Sequence, residues 1–143
     1  MIILDTNVFS ALMTEPADAR VVSWLDRQPR ISIWTTSITV LEIRFGLATM
    51  ADGRRRKSRL LAFQRLINDT LERRVAGFDQ NAAEATATLM GARRAAGTSV
   101  DLRDSMIAGI VVSQGAVLAT RNIRHFSDID ADVINPWYAD KSR

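Results

Sequence analysis

The 143-residue sequence contains no cysteine, which excludes disulfide bonds, thiolate nucleophiles and cysteine-ligated metal sites. Because proteins without disulfides are typical of a reducing compartment, we expect this one in the cytoplasm. No apolar run approaches the ~20 residues of a membrane span, and the apolar run near the N-terminus stops at Asp5. We therefore predict neither a signal peptide nor a membrane anchor, and one domain over residues 1–143.

Lysine is also scarce: of the 19 basic residues, only Lys57 and Lys141 are lysines, and the others are arginines. The guanidinium group of arginine binds phosphate through two parallel hydrogen bonds and stacks on bases, which favours a nucleic-acid partner. A codon bias toward arginine throughout the genome explains the same composition equally well, so composition leaves the partner open.

Short apolar strands alternate with helices along the chain. Strands are predicted at 2–4, 31–36, 75–78, 116–120 and 131–135, and helices at 7–13, 17–27, 37–50, 54–73, 79–96 and 102–114. Pro16 is expected just before the second helix, where a first-turn proline belongs. The third helix is expected to bury Val40, Leu41, Phe45 and Leu47 or Ala48, and the fourth a stripe from Leu60 to Leu71. This alternation predicts an α/β fold with a mainly parallel sheet.

Polar side chains occur where several of these elements meet. Asp5 directly follows the first strand, Glu42 lies early in the helix after the second strand, and Asp104 lies in the first turn of the last helix. Asn122 follows the fourth strand, two residues after Thr120. Because ligands bind beyond the carboxyl ends of parallel strands, we expect these side chains to converge at one edge of the sheet.

Three carboxylates close together repel one another unless a cation lies among them. A hard divalent ion such as Mg²⁺ or Mn²⁺ takes oxygen ligands, activates a bound water and polarises a phosphodiester. Each acid also has a purely structural interpretation. Glu42 fits a capping box that starts at Thr39, Asp101 and Asp104 fit a helix cap with a dipole-compensating acid, and Asp5 fits an Asx turn or N-cap.

Five segments in order, "MIILDTNVFS", "TTSITVLEIRFG", "DSMIAGIV", "LATRNIRHF" and "INPW", resemble the PIN-domain ribonucleases, and closely the VapC/FitB-type toxins of prokaryotic type II toxin–antitoxin systems. The resemblance covers nearly the whole chain. It implies a PIN-like three-layer sandwich with helices on both faces of the sheet. It also implies an endoribonuclease that depends on Mg²⁺ or Mn²⁺, forms a homodimer or higher oligomer and is blocked by a cognate antitoxin.

The resemblance also implies roles for individual residues. It places Asp5, Glu42 and Asp104 on the metal, with the hydroxyls of Thr6 and Thr120 and the amide of Asn7 in support. Many relatives have an aspartate after the Thr-Arg pair, and this chain has Asn122 there. Asn122 is therefore expected to orient a ligand without adding charge, which puts a second metal in doubt. Asp101 is an extra acid one turn before Asp104.

Several basic and aromatic residues have more than one interpretation. Arg44 and Arg121 are candidates for holding phosphate, and the run "RRRKSR" at 54–59 suits an RNA or antitoxin contact or simply a solvated surface. His125, the only histidine, is left out of the predicted site because a metal-bound water needs no imidazole. Trp24, Phe45 and the Leu60–Leu71 stripe predict more apolar surface than one layer hides, which favours self-association.

Two other functions stay open at this point. Asn122 suits a non-catalytic PIN-like module that binds RNA or protein. The segment "LDTN" is also similar to the first-strand aspartate of haloacid-dehalogenase-type phosphatases. A phosphatase of that type needs a second aspartate where this chain has Asn7, and a lysine after a later strand, which neither Lys57 nor Lys141 provides.

Overall fold

The computed structural model describes residues 1–138, in which five parallel strands form one sheet. The strands are β1 (Ile2–Leu4), β2 (Ile33–Thr36), β3 (Val75–Ala76), β4 (Val117–Ala119) and β5 (Val133–Ile134), in the order β3-β2-β1-β4-β5. The chain leaves β1 toward β2 and β3 and later returns to add β4 and β5 on the other side. The strand order therefore reverses between β1 and β4, which is where open α/β sheets bind ligands.

Six α-helices connect these strands. They are α1 (Thr6–Met13), α2 (Ala19–Asp26), α3 (Ser37–Thr49), α4 (Arg54–Arg65), α5 (Gln80–Ala95) and α6 (Leu102–Gln114). Short helical turns at Arg30–Ser32 and Ile123–Phe126 precede β2 and follow β4, and a π-helical turn at Leu66–Thr70 extends α4. None of the helices in residues 1–138 is long and apolar enough to cross a membrane.

The helices cover both faces of the sheet, as the resemblance implied. On one face α5 and α6 bury a core that includes Ile3, Ile107, Ile110 and Leu118. On the other face α1 to α4 bury a second core with Leu4, Phe9, Trp24 and Phe63. Ile3 and Leu4 belong to different cores because successive side chains of a strand point to opposite faces. The predicted three-layer α/β architecture is confirmed.

The ends of α6 show how local sequence fixes the position of a proposed site residue. Asp101 caps the helix by accepting a hydrogen bond from the backbone N–H of Asp104 at 2.9 Å. Gly115 ends the helix in the left-handed conformation with φ of 62°, which glycine adopts without steric cost. The helix therefore has the predicted bounds, and Asp104 lies in its first turn.

The predicted buried face of α3 is wrong in part. Leu41 and Phe45 are 58% and 63% exposed, whereas Ile38 and Leu47 are buried. Apolar residues occur all around this helix, so hydrophobic periodicity did not identify the side that faces the sheet.

Three further expectations need correction. Trp24 is only 3% exposed and supplies no apolar surface for self-association. In the predicted Leu60–Leu71 stripe Phe63 and Leu71 lie in the core, whereas Leu61 is 51% exposed and contributes apolar area to the surface. Pro16 is not a first-turn proline, because α2 begins at Ala19 after its N-cap Asp18. The fourth helix ends as α-helix at Arg65, where its backbone widens into the π-helical turn.

Candidate functional site

Asp5 lies at the point where the strand order reverses. Its backbone N–H donates to the carbonyl of Ala119 at 2.9 Å, which joins the ends of β1 and β4. Its side chain caps α1 by accepting a hydrogen bond from the N–H of Thr6 at 2.8 Å. The other carboxylate oxygen accepts a hydrogen bond from the Thr120 hydroxyl at 2.8 Å. The helix-cap interpretation of Asp5 is therefore correct, and the same carboxylate also faces the reversal point.

Burial makes the charge of Asp5 costly. The residue is 3% exposed, and this desolvation raises the pKa of its carboxyl from 3.8 to about 6. The hydrogen bonds from Thr120 and Thr6 oppose that rise in the pKa, and the negative charges of Asp104 and Glu42 add to it. Two other carboxylates therefore lie close enough to Asp5 to disfavour its ionised form.

Glu42 lies on α3 and contacts Thr6, the residue that follows Asp5. The Thr6 hydroxyl donates to Oε1 of Glu42 at 2.9 Å and lies 3.0 Å from the hydroxyl of Thr39. The alternative in which Glu42 caps its own helix is wrong, because Thr36 is the N-cap and accepts from the N–H of Thr39 at 3.1 Å. Glu42 lies one turn further along and is free to face α1.

Asp104 approaches from α6. Its Oδ2 lies 3.1 Å from Nδ1 of His125, which follows β4 in the turn at Ile123–Phe126. His125 is thus beside a proposed site acid, although sequence reasoning left it out. Its position three residues after Asn122 was the available signal, and its distance from Asp104 along the chain concealed the contact.

The end of β4 carries the remaining predicted residues. The Asn7 amide donates to Asp5 and to the Thr120 hydroxyl, both at 3.3 Å, and its carbonyl oxygen accepts from the N–H of Arg121 at 3.0 Å. The N–H of Asn122 donates to the Thr120 hydroxyl at 3.0 Å, and the Asn122 residue is exposed. Thr120 and Asn7 therefore connect Asp5 to the residues after β4. Asn122 joins them through its backbone N–H, while the residue itself is exposed.

Two arginines near the site lie over aromatic rings, and others line two cavities. Arg44 lies over the ring of Phe63 at 5.8 Å, and Arg121 lies over the ring of Trp137 at 4.8 Å. Arg103, which sequence reasoning missed, reaches Glu42 with its Nη1 at 3.8 Å from Oε2.

Arg103 and Arg59 line a cavity of about 370 Å³ together with Thr6, Glu42, Met13 and Ile43. A second cavity, of about 530 Å³, is lined by Arg93, Asp104, Arg124 and His125.

The donor set suits a hard divalent cation by its chemistry, because all three acids offer carboxylate oxygens. Within residues 1–138, no group of three or more histidine, aspartate or glutamate side chains is close enough together to hold a metal ion. The observation in favour of a cation is Asp5, since a positive ion would relieve the desolvation and repulsion that raise its pKa. Coordination by Asp5, Glu42 and Asp104 therefore stays a prediction.

Comparisons with known proteins give one consistent picture. The PIN domain family model matches residues 2–132. VapC ribonuclease Y4jK of Sinorhizobium fredii is 37% identical over 137 residues, which cover 96% of this chain and 98% of that protein. Toxin FitB of Neisseria gonorrhoeae is 30% identical over 138 residues, which cover 96% and 99%. The crystal structure of FitAcB from Neisseria gonorrhoeae has a TM-score of 0.83 at 31% identity and covers 97% of this chain and 100% of that one.

Proposed function

The chain belongs to the PIN-domain family, and on that premise we propose that it is a metal-dependent endoribonuclease and the toxin of a toxin–antitoxin pair. The observation that carries the proposal is the buried Asp5 at the reversal of strand order, with Glu42 and Asp104 near enough to raise its pKa. The relatives named VapC ribonuclease and toxin FitB support the activity and the biological role.

Mg²⁺ or Mn²⁺ would be held by Asp5, Glu42 and Asp104. When bound, such an ion lowers the pKa of a water and polarises a phosphodiester. The protein's own contribution is orientation: hydrogen bonds from Thr120 and the Thr6 backbone fix the two oxygens of Asp5, and the Thr6 hydroxyl fixes Glu42. With a pKa of about 6, Asp5 is mostly ionised at neutral pH and available to a cation.

The partners we propose are an RNA substrate, a cognate antitoxin protein and a second copy of the chain. The solved FitAcB structure from Neisseria gonorrhoeae supports a two-component assembly for a related toxin. A reducing cytoplasm suits both RNA and a chain without cysteine.

The first experiment measures initial rates of cleavage on a panel of single-stranded and structured RNAs at a range of Mg²⁺ and Mn²⁺ concentrations. Cleavage should stop with excess chelator, and Asp5→Asn should nearly abolish it because the amide removes the charge that attracts the ion. The control is Asp132→Asn, an exposed aspartate directly before β5. Cleavage by Asp5→Asn at the wild-type rate, or cleavage that persists in chelator, would refute the proposal.

Asn122 distinguishes one metal from two. If its amide orients a ligand, Asn122→Ala should reduce the rate ~10–100-fold, as is usual for groups that support metal ligands. If a second metal is needed there, Asn122→Asp should raise the rate by restoring a charge. Equal rates for wild type and both variants would remove Asn122 from the site.

The exposed position of Asn122 also favours a second candidate function, a non-catalytic PIN-like module that binds RNA or protein. Such a module would bind the same RNAs in a gel-shift assay without producing cleavage at any metal concentration. Binding with no cleavage for wild type would favour the module over the nuclease.

A further inference from the structure

Arg93 is a buried arginine that the proposed mechanism does not use. It lies in the last turn of α5 and is 5% exposed, whereas its neighbour Arg94 is exposed. Charged side chains are rarely buried unless they are paired, so this burial needs a reason. The sequence gives no sign of it, because Arg93 and Arg94 are adjacent identical residues.

The guanidinium group of Arg93 makes four hydrogen bonds to three residues. Nε and Nη2 donate to the two carboxylate oxygens of Asp128 at 2.8 and 2.9 Å. Nη2 also donates to the backbone carbonyl of His125 at 2.7 Å, and Nη1 donates to the Ser105 hydroxyl at 3.1 Å. The hydrogen bond with Asp128 raises the pKa of Arg93, so the group stays charged.

Ser105 and His125, two partners of Arg93, belong to the two segments that meet at the contact between Asp104 and His125. Ser105 is fully buried and directly follows Asp104, and His125 is the residue whose ring meets Asp104 at 3.1 Å. Arg93 therefore ties the start of α6 to the segment 121–128, which carries Asn122 and His125. That segment has only a short helical turn of its own, and the other buried anchor in it is Phe126.

We propose that Arg93 is a positioning residue that holds segment 121–128 against Asp104. The inference rests on the proposed nuclease function and deepens it. Arginine suits this role because its planar fork reaches a carboxylate, a carbonyl and a hydroxyl at once, which the single ammonium of lysine does not. Loss of the fork should let the segment move away from Asp104 while the core around Phe126 keeps the fold together.

The test uses the fact that His125 is the only histidine in the chain. Its imidazole gives one set of NMR signals, which are read in metal-free protein without RNA. Three proteins are compared with wild type: Arg93→Met, Arg93→Lys and the control Arg94→Met, which changes the adjacent exposed arginine. Asp104→Asn provides the reference spectrum for an altered contact between His125 and residue 104.

Arg93→Met should move the His125 signals toward those of Asp104→Asn and lower kcat for RNA cleavage ~10–100-fold, as for other groups that orient metal ligands. KM for RNA should change little, because the variant removes no expected RNA contact. Arg93→Lys should restore part of both effects, and Arg94→Met should match wild type. His125 signals and kcat that stay at wild-type values while the melting temperature falls would show that Arg93 only stabilises the fold.

If Arg93→Met does not fold, Asp128→Asn replaces it. This variant weakens the pair of hydrogen bonds between Arg93 and residue 128 and leaves the bonds to Ser105 and His125 in place. We expect a smaller shift of the His125 signals and a smaller loss of kcat, and no change in either would overturn the proposal. Failure of the nuclease function looks different. Wild type would then cleave no RNA, while the His125 signals would still report whether Arg93 holds the segment.

Discussion

Two arginines near the proposed site are bound in different ways. On the Arg93 side, formed by α5, α6 and segment 121–128, the guanidinium is 5% exposed and makes four hydrogen bonds. On the Arg103 side, which is the cavity next to Glu42, the arginine side chain is 58% exposed and lies 3.8 Å from one carboxylate. Arg93 is committed to the fold, whereas Arg103 has donors left for a ligand.

The same contrast extends to the surroundings of each arginine. In residues 1–138 every buried side-chain nitrogen and oxygen has a hydrogen-bond partner, so the buried guanidinium of Arg93 is bonded within the protein. The Arg103 side combines Arg59 and Arg103 with apolar residues such as Met13 and Ile43 around one cavity. We infer that Arg93 itself provides rigidity, whereas Arg103 is available for binding.

Asp5 belongs to the proposed site itself, and its titration should give the largest effect. The unfolded carboxyl loses its proton near pH 3.8, whereas the folded one keeps it until about pH 6. The folded state therefore binds more protons in this window, so Asp5 lowers the free energy of unfolding as the pH rises from about 4 to about 6, by up to about 3 kcal/mol in total.

Urea unfolding of metal-free protein at a series of pH values measures how the free energy of unfolding depends on pH. The difference in unfolding free energy between Asp5→Asn and wild type should shift in favour of the variant across the window, because the amide does not titrate. The variant should thus gain relative stability at neutral pH while losing activity. A difference that is independent of pH would contradict the raised pKa.

Close packing on the Arg93 side gives the next effect. Gly109 of α6 faces α5, where an added methyl group would collide with the side chain of Thr86 and lie 2.7 Å from the carbonyl oxygen of Ala82. We expect Gly109→Ala to lower the free energy of unfolding by about 2 kcal/mol, since overpacking outweighs the gain in helix propensity.

Gly91→Ala is the matched control for Gly109→Ala, because Gly91 lies in α5 with nothing within 4 Å of its added methyl group. It should raise the free energy of unfolding by about 0.5–1 kcal/mol. Similar changes for the two variants, measured by urea titration, would mean that α5 and α6 are not as closely packed as described.

Sequence reasoning recovered the parts of this comparison that depend on local signals. Asp101 and Gly115 mark the two ends of α6, and Asp5 marks the end of β1, because caps and strand ends are read from neighbouring residues. The burial of Arg93 and the contact between His125 and Asp104 depend on segments far apart in the chain. No local pattern separates Arg93 from Arg94, or predicts that Arg121 stacks on Trp137.

Exposed apolar residues of α3 and α4 form a candidate surface for self-association. Leu41 and Phe45 lie one turn apart on α3, Leu61 lies on the neighbouring α4, and all three are more than half exposed. We expect a second copy of the chain to cover them, so Phe45→Glu should weaken self-association at least about tenfold, which corresponds to about 1.4 kcal/mol. Ile31→Glu, at another exposed apolar residue, is the control.

Light scattering at micromolar concentration measures the mass of these proteins. Wild type and Ile31→Glu should be dimeric or larger, and Phe45→Glu should shift toward the monomer. A wild-type protein that is monomeric throughout the range would refute self-association through this surface.

The smallest effect should be on RNA binding, where variants of Arg103 and Arg121 show which of the two arginines contacts phosphate. Sequence reasoning proposed Arg44 and Arg121, whose guanidinium groups lie 5.8 Å from the Phe63 ring and 4.8 Å from the Trp137 ring. Arg103 instead lines the cavity beside Glu42 and Thr6. Exposed charge contacts contribute about 1 kcal/mol, so Arg103→Gln should raise KM for RNA about fivefold. It should also reduce the slope of log affinity against log salt by about 1, because one fewer phosphate is neutralised.

Arg121→Gln is the matched variant for this comparison, and its expected effect is on stability alone. It removes a cation–π contact that contributes roughly 0.5–1 kcal/mol at an exposed position, so the melting temperature should fall slightly while KM and the salt slope stay as in wild type. RNA binding measured from 50 to 200 mM salt decides between them. If Arg121→Gln changes the salt slope and Arg103→Gln does not, the RNA backbone follows the end of β4, and the Arg103 cavity is left to the antitoxin.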